Sequence, residues 1–120
     1  MSRPAEGAIV LVDWRGGALP REPTGIRPAA VVEGAGKFPD DFENLLVVPF
    51  TRDQTVVYPA FSLRIDPTPE NGAHSVCWAL AHHVSSVSMR RVRATASRIT
   101  RDQLDTLRER IVLAIGLLVA

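Results

Sequence analysis

Between Ala8 and Ala94 the apolar residues come in short, β-branched runs, each broken by glycine, proline or small polar residues, and only after Thr100 does their spacing turn helical. Runs of this length are those of strands. They fall at residues 8–14, 29–32, 45–50, 56–58 with 61–65, 75–81, 84–87 and 91–94. Breaker-rich segments at 15–20, 34–41 and 66–72 part them, and Pro59 marks an edge or a bulge. Thr100, with Gln103 three residues on, spells a capping box. Beyond it Leu104, Leu107, Ile111, Ala114, Ile115 and Leu118 recur on one helical face, and Gly116 weakens the last turn. Many short strands and one closing helix predict a mainly β (α+β) fold: a small, strongly bent sheet or barrel with a C-terminal α-helix packed on it. At 120 residues the chain is expected to be one domain over 1–120.

Familiar catalytic signatures are missing from the sequence. It has no phosphate-binding glycine loop, no Gly-x-Ser-x-Gly elbow and no His-Glu-x-x-His. A lone cysteine, Cys77, allows no intramolecular disulfide and reads as a small buried hydrophobe. His74, His82 and His83 are close in sequence, but on a strand His82 and His83 would face opposite ways, so no metal site is expected and the histidines read as surface or structural. Net charge is +1, yet seven arginines (Arg90, Arg91, Arg93, Arg98, Arg101, Arg108 and Arg110) crowd the later part against Asp102, Asp105 and Glu109. A local basic face is therefore compatible with a near-neutral total. The apolar tail at 111–120 is far short of the about 20 residues that cross a bilayer, and no basic-then-apolar leader opens the chain, so a cytoplasmic protein without membrane contact is expected.

The ordered set of motifs says more. Gly7-Ala8-Ile9-Val10-Leu11-Val12-Asp13-Trp14 is followed by Glu22-Pro23-Thr24-Gly25-Ile26-Arg27-Pro28-Ala29-Ala30-Val31-Val32. Together they resemble the opening of the MazF/PemK toxins: an apolar strand ending in an acid and an aromatic, a loop, then Glu-x-x-Gly-x-Arg-Pro. Val47-Val48-Pro49-Phe50-Thr51 is similar to the family's strand ending in Pro-apolar-Thr, and Ser75-Val76-Cys77 to the start of a later strand. His82-His83-Val84-Ser85-Ser86-Val87 stands where that family usually has a Gln-Ile-Arg-Thr-Ile-like run, and the helix ends in a similar Ile-Gly-Leu. Two departures stand out: Arg52 follows Thr51 where Ser or Thr is usual, and His83 occupies the usual Gln position.

The resemblance implies an SH3-like barrel of the CcdB/PemK type and a sequence-specific endoribonuclease toxin cutting single-stranded mRNA. It implies cleavage without metal or cofactor, by attack of the RNA's own 2′-hydroxyl, leaving a 2′,3′-cyclic phosphate and a 5′-hydroxyl. Arg27 matches the catalytic arginine and Thr51 the catalytic threonine. Glu22, Gly25, Arg52, Arg15 and His83 are the implied RNA-binding residues, and the base is unassigned between Glu22 and His83. The resemblance also implies a homodimer neutralised by a cognate antitoxin. Two other readings stay open: a CcdB-like toxin that binds DNA gyrase, against which the apolar tail speaks, and an inactive barrel kept as a binding module.

Overall fold

The chain is described by a computed structural model covering residues 3–14 and 25–117. Among these residues lie seven strands, β1 (Ala8–Asp13), β2 (Ile26–Val31), β3 (Asn44–Thr51), β4 (Ser62–Ile65), β5 (Cys77–Leu80), β6 (Ser85–Ser88) and β7 (Val92–Arg98), and one helix, α1 (Arg101–Ala114). The sheet runs β4-β5-β3-β2-β1-β7, with β6 also on β3, and the pairs are antiparallel. β3 is the hub. Its first half pairs β6, its middle pairs β2, and its end pairs β5 through Phe50 opposite Ala79 and Thr51 opposite Trp78. One strand serving three neighbours requires a sharply bent sheet, and the result is barrel-like. Ladder pairing among the described residues does not close the ring: β4 and β7 remain its two ends.

Strands β1 and β3 and the second half of β2 are buried on both faces, which is why they read as nearly continuous apolar runs rather than alternating ones. Ile9, Ala30, Val32, Val48 and Phe50 face one core, together with Leu104 and Leu107 of α1. Val10, Val12, Ala29, Val31, Leu45 and Val47 face the other, closed by Val87, Trp14, Met89 and Val92. Leu104 and Leu107 are fully buried, and burial of each contributes about 1.5–3 kcal/mol. The expected capping box is present: Thr100 Oγ1 accepts from the Gln103 amide at 3.0 Å while Gln103 Oε1 accepts from the Thr100 amide at 2.9 Å.

The helix departs from expectation at its far end. Gly116, at φ +83°, lies beyond the helix and closes it rather than weakening its last turn. Ala114 and Ile115, expected on the packed face, are exposed, and Leu118 lies outside the described residues. The arginine cluster also divides. Arg108 donates to the carbonyls of Val32 and Glu33 at 3.1 Å and to Glu6 at 2.6 Å, tying α1 to the segments beside β1 and β2. Arg101 pairs with Glu6 and Asp105, and Arg110 donates to the Ser62 carbonyl. Arg90, Arg91, Arg93 and Arg98 are exposed around β7.

One strand expectation fails for a local reason. Residues 56–58 form no strand, because Asp53 Oδ1 accepts from the Thr55 amide and hydroxyl at 2.9 and 2.7 Å and winds Gln54–Val56 into a 3-10 turn. That Asx-type bond outweighs the β-branched composition. His82 and His83, between the runs expected at 75–81 and 84–87, lie in a second 3-10 turn, Ala81–His83, with their rings edge to face at 4.6 Å. β2 begins at Ile26, three residues earlier than expected, and carries Pro28 opposite Leu11. β5, β6 and β7 shift by one or two residues at their starts, and β7 runs on to Arg98.

Candidate functional site

Where β2 leaves its hairpin loop and β3 ends, the two strands bring Arg27 and Thr51 to one open groove of about 600 Å³. Gly25, Arg52, His74, Ser75 and Cys77 also line it. Arg27 is opposite Val12 in the β1–β2 ladder and its side chain is exposed. Pro28 fixes the backbone beside it and biases Arg27 to the extended conformation. Gly25 adopts φ +67°, and its carbonyl accepts from the Trp14 amide at 2.9 Å, which sets the chain's entry into β2.

Thr51 is buried at the groove floor. Its Oγ1 accepts from the Asp53 amide at 3.0 Å. That bond uses one lone pair, and the hydroxyl can still donate its hydrogen to an acceptor in the groove. Arg52 is exposed next to it, and its charge reaches Cys77. Burial nevertheless pushes the Cys77 thiol up, and its sulfur rests 3.9 Å from the Ile65 carbonyl, so it behaves as the small hydrophobe its sequence context suggests. Two guanidiniums, a hydroxyl donor and an imidazole around one cleft are groups that can hydrogen-bond an anion such as a phosphate.

Not every expected residue gathers here. Arg27, Thr51, Gly25 and Arg52 line the groove, and His83 does not. His83 sits in the turn that packs against α1 and β3. Glu22 and Arg15, with most of the 15–26 loop, lie outside the described residues. His74, read from sequence as a surface or structural histidine, is exposed and also lines the groove. Its position depends on Asn71, whose buried side chain accepts from the amides of Thr68 and Ala73 at 3.0 and 2.9 Å and donates to the Asp66 carbonyl at 2.9 Å. The Asn71-Gly72 pair was legible as a turn; that the turn aims a histidine at β2 and β3 was not. Trp14 packs its ring against the second core with Nε1 buried.

A second, mostly apolar cavity of about 280 Å³ adjoins the groove, sharing Pro28, Phe50, Gly72, Ala73 and Cys77 with it and continuing to Leu11, Thr95 and Ser97. No group of three or more His, Cys, Asp or Glu able to hold a metal ion occurs among the described residues. Among the same residues, no helix is long and apolar enough to cross a membrane.

A bent antiparallel sheet backed by one C-terminal helix, with an arginine–threonine groove at the ends of its central strands, defines a class of small toxin domains. The chain belongs to the family described as PemK-like, MazF-like toxin of type II toxin-antitoxin system, which matches residues 5–115. Among solved structures it is similar to MazF from Deinococcus radiodurans, with a TM-score of 0.74 and 25% identity over 94% of this chain and 96% of that one. A mycobacterial endoribonuclease in complex with its cognate antitoxin aligns with a TM-score of 0.70 and 14% identity, over 98% of this chain and all of that one. The Mycobacterium tuberculosis toxin MazF-mt6 follows at 0.66 and 18%, over 90% and 95% of the two chains. The last two likenesses concern the fold alone. No curated protein matches the chain by sequence.

Proposed function

We propose that the chain is the endoribonuclease toxin of a type II pair, cutting single-stranded RNA at the Arg27–Thr51 groove without a metal ion. The observation that carries the reading is the convergence of Arg27 from β2 and Thr51 from β3, residues far apart in sequence, on one cleft. In the reaction the RNA's 2′-oxygen attacks the adjacent phosphorus. The P–O2′ bond forms, the P–O5′ bond breaks, and a 2′,3′-cyclic phosphate and a 5′-hydroxyl result. Charge grows on the non-bridging oxygens, so the protein's task is to hold the phosphate in line and stabilise that charge. Arg27 offers a permanently charged fork for two oxygens, and the Thr51 hydroxyl offers a further donor. The adjoining apolar cavity gives a splayed base a place to lie beside the clamped phosphate. A homodimer restrained by a cognate antitoxin completes the proposal, in keeping with the type II toxin-antitoxin family to which the chain belongs.

The test is cleavage of a mixed-sequence single-stranded RNA in EDTA, with the product ends identified. Wild type is expected to give cyclic-phosphate and 5′-hydroxyl ends. Arg27→Ala and Thr51→Ala are each expected to be slower by about 10²–10³-fold, the typical effect of losing one such donor. Absence of cleavage by wild type on diverse RNA, or equal cleavage by all three proteins, overturns the reading.

A further inference from the structure

We propose that His74 is the general base of this groove, taking the proton of the attacking 2′-hydroxyl; the inference rests on the RNA-cleavage reading above. As the P–O2′ bond forms, that proton passes to the imidazole. The electron pair of the breaking P–O5′ bond goes to the 5′-oxygen, which takes a proton from solvent, and the imidazolium returns its own proton to solvent.

Chemistry narrows the choice among the described lining residues. Arg27 and Arg52 end in guanidinium groups, which are donors without an acceptor site. Thr51 and Ser75 carry hydroxyls, which are poor acceptors of a full proton. Cys77 would have to become a thiolate, and burial opposes that. Imidazole is the side chain suited to accept and release a proton near neutrality.

Architecture supports the same choice. His74 lies between β4, which ends at Ile65, and β5, which begins at Cys77, in a stretch with no ladder of its own. That stretch is fixed from within. Asn71 spends both ends of its amide on the loop backbone, Thr68 Oγ1 accepts from the Asn71 amide at 3.1 Å, and the Gly72 amide donates to the Thr68 carbonyl at 3.2 Å. Gly72 turns the chain at φ +65°, and a Cβ there would stand 2.7 Å from Ser97 Oγ, so the loop is seated directly against β7. The segment so anchored delivers an exposed imidazole to the cleft that Arg27 and Thr51 share. The groups of the described groove that carry or can carry charge beside it are Arg27 on β2, Arg52 after β3 and Cys77 on β5.

The test uses the full chain and an RNA oligonucleotide spanning a cut site mapped with wild type. Cleavage is followed from pH 5 to 9 for wild type, His74→Ala, His74→Gln and Glu22→Gln. Wild-type kcat/KM is expected to rise with pH to a plateau. His74→Ala and His74→Gln are expected to lose about 10²–10⁴-fold, in kcat rather than KM, and to lose the rising limb. Added imidazole restores part of the His74→Ala rate and leaves wild type unchanged. Binding of the 2′-deoxy oligonucleotide, which cannot be cut, is expected to persist in both variants and shows that they are folded. A wild-type rate and pH profile in both His74 variants overturns the assignment, as does loss of the limb in Glu22→Gln alone. A wild type that cuts no RNA overturns instead the reading on which it rests.

Discussion

Arginine serves three ends in this chain, and the surroundings decide which. Arg27 lies exposed at a cleft, where a guanidinium fork can meet a phosphate. Arg108 is a staple, its hydrogen bonds spent on two carbonyls and Glu6, and that bond holds the Glu6 carboxyl below the usual carboxylate range. Arg3 is nearly buried against Glu33, at 2.7 Å through Nε and 2.9 Å through Nη2, and lies 5.5 Å from the ring centres of Phe38 and Phe42. Burial pushes the Glu33 carboxyl up, but the Arg3 bonds, the Leu46 amide and the Arg3 charge together hold it below its ordinary value. A carboxyl depressed in the folded state stabilises the fold above its unfolded pKa and loses that contribution as pH falls through the folded one. Stability is therefore expected to fall with acid below about pH 4.3, the ordinary glutamate value, and this part of the dependence should vanish in Glu33→Gln. At pH 7, Glu33→Ala should cost at most about 3–5 kcal/mol by taking the carboxylate from the buried Arg3 charge, which keeps its bonds to the Phe42 and Asn44 carbonyls. Urea unfolding across pH measures both. Equal acid sensitivity in wild type and Glu33→Gln would show that the pair is not the source.

Elements were legible where periodicity and local chemistry agreed. The helix could be read from Thr100 and Gln103 because a capping box is a contact between near neighbours, and the structure realises it. β1 and β3 could be read because strands buried on both faces need unbroken apolar runs. The Gln54–Val56 turn was not legible as such: Val56 and Val57 carry strand propensity, which an Asx bond overrides, whereas the Ala81–His83 turn falls at the junction of two runs read as separate strands. Arg27 and Thr51 were singled out through the resemblance of the runs around Pro28 and Pro49 to the MazF/PemK pattern. His74 was missed because what makes it part of the site is the folding of the Asn71 loop onto β7 and the cleft, a long-range event with no periodic trace. The cap offers a test at this scale. Thr100→Ala leaves the Gln103 amide without its acceptor and should cost about 1 kcal/mol. Thr100→Ser should retain nearly all of that. Thermal or urea unfolding of the pair measures it, and an unchanged Thr100→Ala midpoint would mean that tertiary packing of Leu104 and Leu107 alone fixes the helix start.

At the scale of the whole molecule, the apolar surface is unevenly spent. The helix buries Leu104 and Leu107 and packs Ile111 against the core, yet where it ends Ile115 and Leu117 are 69% and 72% exposed. Apolar side chains of this size grouped at one place cost a lone domain solubility and give a paired one its contact. The homodimer proposed above is expected to use this end of α1. Ile115→Lys with Leu117→Lys removes about 3–6 kcal/mol of apolar burial from each protomer, which shifts the dimer Kd by several powers of ten. Sedimentation equilibrium at micromolar concentration should show a dimer for wild type and a monomer for the double variant. Circular dichroism should be unchanged, because neither side chain supports the core. A wild type that sediments as a monomer, or a double variant that remains as dimeric as wild type, would place the helix end outside any self-association surface. RNA cleavage measured on the same samples then separates two cases: a groove complete within one protomer keeps its rate in the monomeric variant, whereas a groove that needs the partner loses it along with the dimer.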